Sequence, residues 1–392
     1  MDLDDFDTFR IATCDLNGQM RGKRMPQKDQ GKLASGDLRM PLSVLNVDIW
    51  GADIANSPLL FASGDGDGYL LPTNRGPVPM PWLDQPSALV GMWMFEEDGR
   101  PFEGDPRHAL AQILDRYAAR GWQVVAATEL EFYLIDDSAE SPRPPKDPAS
   151  NRKIDSSAIL SLQQLDAFEA FFSELYQSCA QMGINAQAAS SEAGIGQFEI
   201  SLQHGDALRI ADDTWLFKTL LKGVARKHGY AASFMAKPYP NDAGNGLHLH
   251  FSVLDEAGEN IFDDGTKQGS PLLQNAVAGC LATMRAATLG FAPHANSYAR
   301  MDPENHAPTS ICWGYENRTA ALRIPAGAPR ARRIEHRVAG GDINPFLTLS
   351  LILGAALLGI EDDLTPPPPI TGNAYSQDLP QLIHSWSDAI DM

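Results

Sequence analysis

Cysteine is scarce in this chain: Cys14, Cys179, Cys280 and Cys312 are the only four among 392 residues, and they lie far apart. Without paired spacing they exclude a zinc–thiolate cluster and a disulfide framework, and they favour a reducing compartment. Basic charge is short as well. The 31 Lys+Arg stand against 50 Asp+Glu, a formal net charge of −19, which argues against a general nucleic-acid or anionic-membrane binder. That acidity reads first as plain solubility and second as an attraction for cationic substrates. Long apolar runs are missing. The most apolar stretch, Phe346 to Ile360, is interrupted by Thr348, Ser350 and Gly354 and falls short of the ~20 residues that span a bilayer, so it reads as a buried core helix. The N-terminus MDLDDFDTFR is acidic where a secretory leader would be basic and then apolar. A cytoplasmic protein with no membrane and no nucleic-acid partner is expected.

What is present suggests a small domain and a large one. The first hundred residues carry short strand-like pieces and crowded turn residues, among them Gly64, Gly66, Gly68, Pro72, Gly76, Pro77, Pro79 and Pro81. From Asp105 the pattern changes, because RHALAQILDRYAARG spaces its apolar residues as a helix and stops at Gly121. The boundary is placed near residue 103, with domains at 1–103 and 104–392. Further helices are expected over Ile159–Met182, Asp213–His228 and Leu272–Leu289, with strands between them. DDSAESPRPPKDPASNR reads as an exposed loop. Strands interleaved with helices, without regular βαβ spacing, indicate an α+β fold on an antiparallel or mixed sheet.

In a strand, residues i and i+2 share a face. TELEF therefore aims Glu129 and Glu131 together, GLHLHFSV groups His248, His250 and Ser252, RRIEHRV groups Arg333, Glu335 and Arg337, and GQFEISL pairs Gln197 with Glu199; Glu192 lies just upstream in a Gly-rich turn. Each strand alone reads equally well as an amphipathic strand with a solvated polar face. Together they differ from ordinary exposed faces, which mix Lys, Thr and Ser, because these polar positions are almost wholly Glu, His and Arg. Bunched carboxylates repel one another unless a cation neutralises them. Many carboxylate oxygens with one imidazole and no thiolate suit Mg²⁺ or Mn²⁺. Arg300, Arg318, Arg323, Arg333 and Arg337 supply forks for phosphate or carboxylate oxygens, whereas Arg330 and Arg332 read as surface ion pairs. The combination points to phosphoryl transfer. No P-loop, kinase-type glycine motif or HExxH is present, so a nucleotide site is built in another way.

In this order, TELEFYL, GNGLHLHFS, NSYAR, ENRTAALRIP and ARRIEHR resemble the glutamine synthetase family, from about Asp15 to Tyr375. The resemblance implies a small N-terminal β-grasp domain and a larger catalytic domain with a curved antiparallel sheet and flanking helices. It implies that Glu131, Glu192 and Glu199 hold one metal while Glu129, His248 and Glu335 hold a second that bridges to nucleotide phosphates. Arg300, Arg337, the backbone at Gly244 and Glu131 match glutamate-binding positions. Arg318 matches the residue that steadies the transferring phosphoryl group, and Arg323, Arg333, His250 and Ser252 match nucleotide positions. The implied reaction has two steps: ATP phosphorylates the side-chain carboxylate of glutamate, and an amine then displaces phosphate. Active sites shared within a homo-oligomeric ring are also implied. The chain runs 17 residues beyond Tyr375, where family members continue through further helices, so single and double rings both stay open. Tyr375 falls near the family's adenylylated tyrosine, but its surroundings differ and no modification is expected.

The departures narrow the acceptor. His306, in MDPENHAP, replaces a glutamate that helps the family bind ammonium, and Ala243 replaces an asparagine near the glutamate site. Losing an anionic group weakens the hold on a small cation. Asp48, in NVDIWG, falls near an ammonium-binding aspartate. The opening DLNGQMRGKRMP resembles the branch of γ-glutamylpolyamine synthetases and related γ-glutamylamide ligases. A glutamate–amine ligase is therefore expected, acting on a polyamine, an alkylamine or an ethanolamine-like compound, with His306 either the base that deprotonates the amine or a lining residue of an enlarged pocket. The alternatives are a glutamine synthetase using ammonia, a guanidino kinase of the same superfamily and a catalytically inactive scaffold. Retention of every metal-ligand candidate speaks against the last.

Overall fold

A computed structural model describes residues 3–61, 64–303 and 307–392; His306 lies outside the described residues. Strands β1 (Thr8–Cys14), β2 (Met20–Pro26), β3 (Arg39–Pro41), β4 (Asp67–Pro72), β5 (Val78–Pro79) and β6 (Ser87–Phe95) form the first sheet, in the order β2-β1-β6-β4-β3 with β5 on β6. It is mixed, since β1 runs parallel to β6 and antiparallel to β2. The period of two decides how it packs. Phe9, Ile11, Val90 and Met94 face a small core of their own, edged by helices α1 (Gly31–Ser35) and α2 (Pro58–Phe61). Their neighbours Ala12, Cys14 and Leu89 face the other way, into the large core.

Asp105 makes the junction. Its carboxylate accepts the amide of Arg107 at 2.9 Å, capping α3 (Pro106–Ala118), and the amide of Met94 on β6 at 3.0 Å. Burial raises its pKa to about 6 against those bonds. The second sheet contains β7 (Gln123–Ile135), β8 (Ala186–Ser191), β9 (Gln197–Asp206), β10 (Ala231–Ser233), β11 (Leu247–Leu254), β12 (Trp313–Tyr315), β13 (Leu322–Ile324) and β14 (Ile334–His336), in the order β12-β13-β14-β11-β7-β9-β8 with β10 on β7. Its pairs are antiparallel apart from β12 and β13, which run parallel. The sheet is therefore predominantly antiparallel but mixed, one of the two forms expected: residues 316–321 loop back so that β12 and β13 point the same way.

The other helices are α4 (Leu162–Ala167), α5 (Glu169–Met182), α6 (Ala207–Lys227), α7 (Pro271–Met284), α8 (Thr288–Phe291), α9 (Ala295–Tyr298), α10 (Pro345–Glu361) and α11 (Trp386–Ile390). Leu130, Phe132, Ile200, Leu249 and Phe251 point into a core shared with Leu216, Phe217 and Leu220 of α6, which leaves the opposite sheet face for polar side chains. The apolar segment becomes α10, and none of the helices among the described residues is long and apolar enough to cross a membrane. It lies so close to α7 that a Cβ on Gly279 would run into the carbonyl of Ala355 and the backbone of Gly359.

Helix boundaries moved for local reasons. The helix expected from Ile159 begins at Leu162, because the Ser161 hydroxyl caps it by accepting the Gln164 amide at 3.3 Å, and it breaks at Phe168. The one expected from Asp213 begins at Ala207, capped by Asp206. Its extra turns bury Asp212 and Asp213 against Arg107 and Arg75, and those polar side chains conceal the apolar period. The helix expected to reach Leu289 ends at Met284.

Candidate active site

Strand register assembles the site. β7 and β9 place Glu131 opposite Glu199, β7 and β11 place Glu129 opposite His248, β11 and β14 place His250 opposite Glu335, and β13 and β14 place Arg323 opposite Glu335. A band of carboxylates, imidazoles and guanidinium groups thus crosses the sheet. Glu129 Oε2 is hydrogen-bonded to His248 Nδ1 at 3.1 Å, whereas Glu129 Oε1 lies 3.0 Å from His250 Nε2, near enough for an ion pair but without hydrogen-bond alignment. Glu335 is enclosed by Arg323 Nη1 at 2.8 Å and by Arg337.

Among the described residues, two groups of side chains bring ligand atoms within 4.8 Å of one another: Glu129 with Glu199 and His248, and Glu129 with His250 and Glu335. This divides the candidates differently from the division implied by the resemblance. Glu129 joins both groups, while the Glu131 carboxylate accepts the Gly246 amide at 2.6 Å and Glu192 accepts the Ser190 hydroxyl at 3.0 Å.

The electrostatics fit a cation. Burial, reinforced by Glu129, Glu131 and Glu192, pushes Glu199 up to about 9, and burial with Glu131 and Glu129 pushes Glu192 up to about 7. Burial would also raise Glu129, but His248 and His250 hold it far below the usual carboxylate range. Burial likewise opposes the lowering of Glu335, which Arg337, the two histidines and Arg323 bring about. An oxygen-rich set whose members resist ionising together is what a hard divalent ion neutralises.

Beside this band Arg300 is buried, its Nη1 donating to the Val338 carbonyl at 2.8 Å. Gly246 makes room, since a Cβ there would stand 2.9 Å from Arg300 Nη2 and 3.3 Å from Glu131 Oε1. The Gly244 carbonyl accepts Gln197 Nε2 at 2.9 Å. Glu131, Gly244 and Arg300 are thereby brought together, with Arg337 near enough for its like charge to act on Arg300.

A cavity of about 600 Å³ is lined by residues that include Glu129, Ser201, His250, Ser252, Arg330 and Arg333. Arg333 Nε donates to His250 Nδ1 at 3.2 Å. Arg318 is exposed on the loop between β12 and β13, and its charge reaches Glu192. Asp48 is not joined to the band by its hydrogen bonds: its carboxylate accepts the amides of Trp50 and Ala52 within its own turn, at 2.9 and 2.8 Å. His306, the candidate base, falls outside the described residues. Arg330 is exposed, but Arg332 corrects its surface reading. It is buried and donates to the carbonyls of Lys267 and Thr266 at 3.1 and 2.6 Å, because a guanidinium that loses water must find other acceptors.

Gln197, which shares a strand face with Glu199, has a positioning role that strand alternation does not reveal. Its Nε2 ties the Gly244 carbonyl to Asn245 Oδ1, and Tyr133 donates its hydroxyl to the Ala243 carbonyl at 2.7 Å. Together they anchor the loop that carries GNG. Alternation had already aimed Gln197 at that face; the reach of Tyr133 had no sequence signal.

Known proteins resemble this chain over nearly its whole length. The family description "Glutamine synthetase, catalytic domain" matches residues 103–392. The gamma-glutamylputrescine synthetase PuuA of Escherichia coli K12 is 36% identical over 385 residues, 97% of this chain and 81% of the relative. The gamma-glutamylethanolamide synthetase GlnA4 of Streptomyces coelicolor is 31% identical, covering 99% of this chain and 84% of the relative. A glutamate–isopropylamine ligase of a Pseudomonas species is 32% identical over 94% of this chain and 81% of its own length. Among solved structures, apo GmaS superimposes with a TM-score of 0.85 at 29% identity, covering 98% of this chain and 86% of that one.

Proposed function

The chain belongs to the glutamine synthetase family, and from that membership we propose that it is an ATP-dependent ligase joining the γ-carboxylate of glutamate to an organic primary amine. The acceptor class is a polyamine, an alkylamine or an ethanolamine-like compound. The observation that carries this reading is the band of Glu129, Glu131, Glu199, His248 and Glu335 across adjoining strands, beside a cavity of about 600 Å³.

A carboxylate is a poor electrophile until one of its oxygens becomes a leaving group. ATP supplies that change by phosphorylating the γ-carboxylate; the amine then forms the C–N bond and phosphate departs with the C–O electron pair. Arg300, Arg337 and the Gly244 backbone orient glutamate beside Glu131. His250, Ser252, Arg323 and Arg333 position the nucleotide in the cavity, and Arg318 neutralises charge on the transferring phosphoryl group. Glu129, Glu131, Glu192, Glu199, His248 and Glu335 hold two or more divalent ions, Mg²⁺ or Mn²⁺, which when bound offset the charge of carboxylates and phosphates. His306 takes the proton of the incoming amine or widens its pocket. The substitution of histidine for an anionic group at residue 306 favours an amine over ammonia.

We further read residues 1–103 and 104–392 as two domains, a division supported by the separate sheets and by the start of the family match at 103. A homo-oligomeric ring is supported by the turn holding Asp48, which is remote in bonding from the carboxylate band and displays Trp50 at 90% exposure. The four free, buried thiols support a cytoplasmic location. The test is purified protein with Mg²⁺, ATP, glutamate and a panel of amines. Amine-dependent phosphate release with a γ-glutamylamide product is expected; turnover with ammonia alone points to a glutamine synthetase, and silence with every acceptor to an inactive scaffold.

A further inference from the structure

Between the exposed prolines near residue 367 and the C-terminus, the chain crosses back over the loop that joins β12 to β13. Its course there is fixed by hydrogen bonds: the Ile370 amide donates to the Trp313 carbonyl at 2.9 Å, Asn317 Nδ2 to the Gly372 carbonyl at 2.8 Å, and the Ala374 amide to Thr319 Oγ1 at 2.9 Å. Ala374 packs with Cys312 and Ala320 in a small core of its own. Asn373 Oδ1 then accepts the Tyr375 amide at 3.0 Å, so the tyrosine backbone is held firmly on this loop. Its hydroxyl is buried and has no hydrogen-bond partner among the described residues. The positive charges of Arg337 and Arg300 reach it, yet burial outweighs them and raises its pKa, so at neutral pH the phenol is a proton-bearing donor. Arg337 Nε is likewise buried without a partner among the described residues.

Buried donors left unmatched are costly and rare in native structures. The unmatched Tyr375 hydroxyl and Arg337 Nε, within electrostatic reach of one another and of Arg300, are matched by an anion, while the ammonium group of an acceptor would be repelled there. We propose that the Tyr375 hydroxyl is a substrate-binding group that donates a hydrogen bond to a carboxylate of bound glutamate, beside Arg300 and Arg337. The proposal rests on the ligase reading above and adds to it a residue from the C-terminal segment.

The test is Tyr375→Phe, which removes only the oxygen. Losing a hydrogen bond to a charged group weakens binding by about tenfold to a hundredfold. Glutamate affinity, measured by calorimetry with Mg-ADP present, is expected to fall by that factor and KM for glutamate to rise with it, while KM for ATP and the melting temperature stay within error. In the wild-type protein, glutamate should also protect Tyr375 from nitration, read by peptide mass spectrometry, a measurement independent of the variant's folding. Unchanged glutamate affinity in Tyr375→Phe, a change in ATP affinity instead, or absence of protection overturns the proposal. Wild-type protein that binds no glutamate overturns the ligase reading as well, which separates the two failures.

Discussion

Glu131 and Glu199 face each other across the antiparallel β7–β9 pair, a place where strands ordinarily set opposite charges or apolar side chains. Like charges so paired destabilise a sheet that has nothing between them. The fold accepts this cost at its centre: against burial, His248 and His250 lower Glu129 and Arg337 with the histidines and Arg323 lowers Glu335, whereas burial and the neighbouring carboxylates raise Glu199 and Glu192.

The first prediction concerns pH. Glu199 is pushed from 4.5 to about 9 and Glu192 to about 7, so between roughly pH 5 and 9 the folded metal-free protein keeps protons that the unfolded chain has released. Its stability should therefore fall as pH rises through that window. Glu199→Gln should stabilise the metal-free protein at pH 8 by at least about 1.4 kcal/mol, the equivalent of one pKa unit, and flatten the slope. Added Mg²⁺ should raise the melting temperature of the wild type more than that of the variant. A metal-free melting temperature that climbs from pH 6 to 9 contradicts this account.

Glu131→Ala should abolish ligation, with a loss of at least about a hundredfold, while circular dichroism and thermal melting remain near wild type, since the substitution relieves the repulsion opposite Glu199. Steady-state phosphate release measures it. Undiminished turnover would refute the assignment of Glu131.

His306→Glu introduces an anionic group at the position that the proposed reading assigns to acceptor choice. The ratio of ammonium-dependent to amine-dependent kcat/KM is expected to rise, and a ratio that does not move would leave His306 without a role in acceptor choice.

Gly279→Ala should cost about 2 kcal/mol or more in stability, because overpacking here pushes backbone against backbone between α7 and α10. Urea unfolding should show the loss, and KM values should be unchanged.

Alternation of apolar and polar residues determined from the chain alone which side chains of TELEF, GQFEI, GLHLHF and RRIEHR leave the core together, because a strand's period of two is a local property. The glycines, prolines and capping residues near 103 and at the ends of Pro106–Ala118 determined where those elements change, whereas the ends of the later helices shifted by up to six residues. Tertiary structure alone decided which of those strands lie side by side and in what register, and therefore that Glu129 stands within reach of both His248 and His250 while Glu131 is taken up by Gly246. It also decided that Arg332 turns inward and that Tyr375 returns over a distant loop. Such pairings depend on which surfaces exclude water from one another, a competition among segments remote in sequence that leaves no periodic trace in the chain.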